Sequence, residues 1–326
     1  MKTKGMIGMS SSRATASASR RRGGIVREIK RHWDYYIMML PALAVLFFFA
    51  YLPYRGMTIA FQNFNFVDKY NSPFVGLANF KFLFTSPVVW RITYNTLFIN
   101  INYLIWTTIA SVAAAVALNQ LRSGTGRKIY QNAIFIPYFF SAVIFAKLIN
   151  NVIFVDSAGG IANQIVQFFG GKAVAWQEDP NPWAWIIIGT RLWQWLGYSS
   201  IIYLASIAGI DQELLEASGL DGAGRWQQIW HIIIPHLIPT IIIMSLLKIG
   251  DMLRGDFNTI YSIINTNGIL YTHTDIIDTY VFRAIKDAAD FGPTQAVSLY
   301  QSVVGFILVF GSNALVKRYN KDYALF

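Results

Sequence analysis

Glu216-Ala217-Ser218-Gly219-Leu220-Asp221-Gly222-Ala223, with Ile232 and Pro235 after it, is a short, largely polar stretch set between two strongly apolar segments. Asp211 stands where a helix N-cap belongs, and Ile210 before it with Leu215 after it have the spacing of a hydrophobic staple, so the spacing predicts a helix from there. Asp221-Gly222 breaks that helix, and Trp226, Ile229, Trp230 and Ile233 then fall on one face of a second. Glu216 to Pro235 therefore reads as a helix-turn-helix lying against a membrane surface.

Working outward, the 326-residue chain is 54% apolar, 16% aromatic and only 13% charged, the composition of a membrane protein. It has no cysteine, which excludes disulfides and thiolate metal sites. His231 and His236 are five residues apart, roughly 140° around a helix of about 3.6 residues per turn, so they share no ligand face. A phosphate-binding Gly-Lys-Ser/Thr loop, a nucleophile elbow and a paired-carboxylate pattern are all missing from the sequence, so no hydrolytic chemistry is predicted for this chain. The net charge of +10 does not point to nucleic acid, because much of the excess lies in a leading tail: Lys2, Lys4, Arg13, Arg20, Arg21, Arg22, Arg27, Lys30 and Arg31. A basic flank before an apolar span marks the cytoplasmic side. Residues 1–34 are read as a basic, largely disordered cytoplasmic tail and 35–326 as the transmembrane domain, with the polar loop at about 211–232. The apolar run from Tyr35 to Tyr54 has no Ala-x-Ala site after it, which argues against a cleaved leader.

Six spans are predicted, at roughly 35–54, 93–119, 129–155, 183–208, 233–252 and 295–316, each long enough for about 30 Å of hydrocarbon. With the N-terminus inside, the loop holding Arg122, Arg127 and Lys128, the Glu216 loop and the tail holding Lys317, Arg318 and Lys321 all become cytoplasmic, as does the C-terminus. The other connections, 55–92, 156–182 and 253–294, are long and face outward.

The Glu216 stretch resembles the EAA motif of the membrane subunits of bacterial ATP-binding-cassette (ABC) importers, with Ser218 in place of the second Ala and Ile234 in place of the Leu before Pro235. The likeness extends along the chain. Leu40-Pro41-Ala42, Tyr51-Leu52-Pro53-Tyr54-Arg55-Gly56, Ser72-Pro73-Phe74-Val75-Gly76-Leu77-Ala78-Asn79-Phe80, Asp275-Ile276-Ile277-Asp278-Thr279-Tyr280-Val281 and Ser302-Val303-Val304-Gly305-Phe306 are similar to carbohydrate permeases of the LplB type, relatives of the maltose permeases. Gln212, where that group often has Pro, and Phe282, where it often has Tyr, depart from it.

The resemblance implies an all-α membrane protein, the six-span transmembrane domain of a type I ABC importer with a cytoplasmic EAA coupling helix. It implies a non-catalytic permease of the bacterial inner membrane that moves oligosaccharides, acidic plant or algal polysaccharide fragments among them. The implied partners are a second homologous permease in a heterodimer, two ATP-binding subunits, an extracytoplasmic solute-binding protein, the lipid bilayer and the sugar; ATP and magnesium belong to the ATPases, and no cofactor to this chain. An ion-coupled secondary transporter of a small polar solute is the alternative, and it calls for mid-span acids, of which only Asp251 comes near.

Two groups of residues are candidates for this work. Glu216, Ala217, Ser218, Asp221, Gly222 and Ala223 form the expected ATPase-coupling surface, with Glu216 offering a carboxylate to a partner's donors and Gly222 setting the turn; Asp221 and Arg225, i and i+4, are alternatively an internal brace. Asn150, Asn151, Arg191, Trp193, Gln194, Trp195, Tyr198, Lys248 and Asp251 are the candidate substrate path, because polar groups beside aromatic rings suit sugars and charges inside spans face protein or water. Lys147 is a further in-span charge, Lys248 and Asp251 are alternatively a self-neutralising pair, and the aromatic residues are alternatively an interfacial belt.

Overall fold

The computed structural model describes residues 30–121, 124–156 and 159–325. The basic residues from Lys2 to Arg27, on which the expected disordered tail rests, lie outside the described residues, as does Arg122. Among the described residues helices account for the regular structure, beside a single isolated bridge between Gln62 and Phe74.

The chain divides into two compact units, Met1–Thr58 and Ile59–Phe326. The first carries α1 (Trp33–Leu46), with Pro41 inside it and no buried residue, and a π-helical turn at Phe47–Tyr51. The second is built on three long helices, α3 (Pro87–Asn119), α7 (Trp183–Ala208) and α14 (Phe291–Tyr319), and on α10 (Ile234–Gly250). Shorter helices link them: α2 (Ala78–Thr85), α4 (Gly124–Phe135), α5 (Ala142–Leu148), α6 (Ile161–Phe168), α8 (Gln212–Leu220), α9 (Arg225–Gln228), α11 (Phe257–Ile264), α12 (Tyr271–Thr274) and α13 (Ile277–Ala288).

Six spans were predicted, and the described residues divide differently. Four segments are long and apolar enough to cross a membrane: Trp33–Phe61, Pro87–Asn119, Arg225–Gly250 and Phe291–Tyr319. The run expected at 129–155 is broken into Gly124–Phe139 and Ala142–Ile153, bent by 98°, and makes a fifth if the pair is one span. The break has a local cause. Pro137 cannot donate within a helix, Phe140 adopts extended backbone, and Ser141 starts the next helix by accepting from the Ile144 amide. Helix α7 has 26 residues, enough for roughly 39 Å, but it carries Thr190, Arg191, Gln194, Ser199 and Ser200, all five of them buried within the protein. The spans also begin earlier than their apolar runs: Pro87 opens α3 at the position where a missing N–H costs nothing.

In a bilayer the lipid competes for apolar surface, so helices associate through close packing and buried polar contacts. Gly197 shows the first: a Cβ there would lie 2.5 Å from the Ile134 carbonyl oxygen and 2.6 Å from Phe135 Cα, so the α7 and α4 backbones touch. Apolar clusters then form at the two ends of the second unit. Ile99, Trp183, Ile187, Ile260, Leu270 and Ile276 pack at one, and Ala115, Leu118, Tyr203, Ile207, Ile233 and Leu237 at the other. Asn95 on α3 fastens the first end by donating to the Thr272 and Asp275 carbonyls. Nearby, Arg283 grips the buried Asp275 carboxylate with two hydrogen bonds of 3.0 and 2.7 Å and lies over the Tyr271 ring. Burial pulls the Arg283 pKa down, but the bonds to Asp275 and its charge outweigh this and leave it above the ordinary arginine value.

Candidate functional site: a cationic chamber and the Glu216 loop

Arg191, a third of the way along α7, is 7% exposed and faces α3. Its Nη1 donates to Asn100 Oδ1 at 2.9 Å, and its guanidinium carbon stands 4.0 Å from the centre of the Tyr103 ring. A second cation, Lys248 of α10, places Nζ 5.1 Å from the same ring. These groups line a cavity of about 470 Å³ that Trp195, one turn from Arg191, also borders.

The rest of the wall is backbone. After Gly250 the chain leaves the helix, and residues 251–256 run unwound before α11 begins. Unwound backbone at membrane depth must find partners within the protein. Three side chains from three helices supply them. Asn100 of α3 donates to the Met252 and Arg254 carbonyls, Gln301 of α14 donates to the Leu253 carbonyl, and Asp278 of α13 accepts from the Gly255 amide. Gln301 also bonds the other Asp278 oxygen, joining two of the three. Gly255 is required by space, since an added Cβ would collide with the Ile276 side chain. Held in this way, the segment presents Asp251, Arg254 and Asp256 to the cavity. Asp256 Oδ2 lies 3.7 Å from Arg191 Nε, while Oδ1 caps α11 by accepting from the Thr259 amide. The chamber thus collects three cations against two carboxylates from this chain.

Of the path residues named from the sequence, Arg191, Trp195, Lys248 and Asp251 meet here. The others are placed elsewhere. Gln194 is buried against the bend, donating to the Phe140 carbonyl, and Trp193 packs edge-on to Phe145. Tyr198 stacks on Tyr138 at 5.0 Å, so it packs against the bent span as Trp195 also does with its ring edge. Asn150 and Asn151 border a separate amide-rich recess with Gln177, Asn265 and Asn267. Lys248 and Asp251 do not pair; Lys248 is turned to Tyr103. Asn100, Tyr103, Arg254 and Asp256 were missed. The signal for the first two was present, a polar residue every third to fifth position on α3 from Asn95 through Asn100 and Tyr103 to Thr107, but it was read as span.

At the other end of the unit, Asp211 caps α8 by accepting from the Glu213 amide, and α8 ends at Leu220 before Gly222 at φ +88°. Ser218 is more than a small substitute for alanine: it donates to the Leu215 carbonyl and accepts from Gln228, which also reaches that carbonyl. The two arms of the helix-turn-helix are tied by these bonds. Asp221 does not pair with Arg225, contrary to the internal-brace alternative; it borders a cleft of about 410 Å³ with Ser218, Gly222, Ala223 and Gln227. Glu216 and Ala217 are exposed on α8. The expected single face of the second arm is split, because its arc is wider than one contact: Ile229 and Ile233 are buried, whereas Trp226 and Trp230 are 73% and 62% exposed and line an apolar groove with Val112 and Val116.

The sequence profile of the family described as binding-protein-dependent transport system inner membrane component matches residues 107–321, which includes the Glu216 loop, Arg191 and the unwound segment. The chain belongs to this family. The permease is 36% identical over 290 residues to the polygalacturonan/rhamnogalacturonan transport system permease YteP of Bacillus subtilis, a match covering 88% of each chain. It is 32% identical to LplB of the same organism over 90% of this chain and 92% of that one. Among solved structures, it is similar to a chain of a bacterial ABC transporter involved in the import of the acidic polysaccharide alginate, with a TM-score of 0.82 at 29% identity over 91% of this chain and 99% of that one. A chain of the alginate transporter in complex with its alginate-pentasaccharide-bound periplasmic protein gives 0.81 at the same identity, over 90% and 98%. The likeness to carbohydrate ABC permeases of the LplB type, and the all-helical type I fold it implies, are met by these matches.

Proposed function

We propose that the permease is one of two different transmembrane subunits of an ATP-driven importer that carries acidic oligosaccharides into the cytoplasm by alternating access. The observation that carries the acidic class is the chamber, where Arg191 and Lys248 converge on Tyr103 beside the Trp195 ring. A carboxylate gains charge-assisted hydrogen bonds from such donors, and a pyranose gains a stacking face. The named substrates of two relatives, polygalacturonan/rhamnogalacturonan and alginate, support the same class.

In this reading both termini and the Glu216 loop are cytoplasmic, and a solute-binding protein delivers sugar to the opposite side. Two ATPase subunits, which bind ATP and magnesium, dock on the Glu216 loop and on its counterpart in a homologous permease. Glu216, Ala217, Ser218, Asp221, Gly222 and Ala223 form this chain's docking surface, and the chain itself performs no chemistry. ATP binding draws the two coupling loops together and rocks the helices, so the chamber opens alternately to either side.

Uptake by the complete importer in proteoliposomes tests the class. Uronate oligosaccharides should be carried in preference to their methyl esters, which keep the rings and lose the charge. Equal uptake of acid and ester would remove the acidic class, and uptake that persists without ATP would remove the ABC mechanism.

A further inference from the structure

Arg191 is enclosed on three sides and unfinished on the fourth. Nη1 is committed to Asn100 and the guanidinium face to Tyr103, yet Nε is buried and makes no hydrogen bond. The nearest carboxylate to Nε is Asp256, whose Oδ2 at 3.7 Å balances charge but lies beyond hydrogen-bond distance. Asp256 is also held back, because its Oδ1 caps the helix that follows. The pair is therefore electrostatically matched and chemically incomplete, with a free donor beside an open cavity.

We propose that Asp256 is a resident counter-ion that competes with the substrate's carboxylate for Arg191 and so sets how tightly an acidic sugar is held. This rests on the acidic-oligosaccharide reading above. In the empty chamber Asp256 keeps a buried arginine from standing uncompensated. When a sugar carboxylate joins Asp256 at the guanidinium, two anions face one cation, and their repulsion weakens the hold and favours release. A neutral sugar unit gains nothing from Arg191 as an ion and loses nothing to Asp256. Asp256 is thus a specificity-determining residue that acts against its own substrate, trading affinity for turnover.

The test uses the assembled importer in nanodiscs with the binding protein omitted, so that the chamber alone is titrated. An oligogalacturonate, an alginate oligosaccharide and the methyl ester of each are the probes. Asp256→Asn removes the charge and keeps a strong helix cap, and Asp256→Ser does the same with a different shape. Each variant should bind the acids more tightly, by on the order of tenfold, while the esters change little. Acid uptake at saturation, measured with the binding protein restored, should slow. An unchanged acid-to-ester ratio in variants that assemble with wild-type yield overturns the counter-ion role, and so does a gain shared by acid and ester. Failure of the underlying reading looks different: there the wild-type protein itself would bind acid and ester alike.

Discussion

A guanidinium that stacks, donates and pairs at once places separate demands on its replacement. Arg191→Lys keeps the charge but loses the planar fork that serves Asn100 and Tyr103 together. Binding of uronate oligosaccharide in nanodiscs should fall about tenfold or more, the loss of one charge-assisted bond. Trp195→Ala should instead weaken acid and ester equally, since it removes a surface and no charge; acid-selective loss would show that Trp195 serves Arg191 and not the sugar. At the proposed docking loop, Glu216→Lys should leave the permease inserted but release the ATPase from the sugar, seen as ATP hydrolysis without uptake; normal transport would remove Glu216 from the docking surface. Gly222 separates two causes cleanly, because an added Cβ meets nothing within 4 Å while φ is +88°. Strain of about 1–3 kcal/mol is then purely torsional, so Gly222→Ala should already lower coupling, and Gly222→Val should lower it further. Identical wild-type coupling in both variants would show that the loop tolerates another backbone path.

Among the elements, the unwound segment after Gly250 depends most on its surroundings. Asn100→Ala would leave the Met252 and Arg254 carbonyls and the Arg191 Nη1 without their partner. At about 1–3 kcal/mol for each buried group left unsatisfied, thermal unfolding in detergent should shift down by many degrees. Asp278→Asn is a milder probe: the amide still accepts from Gly255, but its NH2 confronts the Gln301 donor, so a smaller loss is expected. Equal melting of both variants and the wild type would mean that water, not side chains, satisfies the segment. The same dependence explains what the sequence could not disclose. The helix-turn-helix around Glu216 was legible because Asp211, Gly222 and Pro235 signal locally, whereas Asn100 lies 152 residues from the carbonyl it holds. The bend at Phe140 was hidden for another reason: Ile134 to Phe140 is a continuous apolar run whose one breaker, Pro137, is ordinary in a membrane helix. Trp193 and Tyr198 pack on Phe145 and Tyr138, a placement sequence cannot give, because aromatic residues near an arginine on a span look alike whether they face a path or the neighbouring helix.

For the molecule as a whole, composition already pointed to a membrane protein, and the EAA-like loop with the LplB-type segments pointed to the family. What only the folded chain reveals is which charges share a space: Arg191, Lys248 and Arg254 against Asp251 and Asp256. That excess of one positive charge has an electrical consequence. On the acidic-oligosaccharide reading proposed above, one sugar carboxylate brings this chain's share of the chamber to formal neutrality, so the loaded state carries no net charge there and the empty state carries one. Moving a unit charge through 100 mV costs about 2.3 kcal/mol, so membrane voltage acts on the return stroke and leaves the delivery stroke nearly untouched. Vesicles clamped at different potentials should therefore show voltage-dependent acid uptake at saturating sugar, where the return limits the cycle, and little dependence in a single loaded turnover.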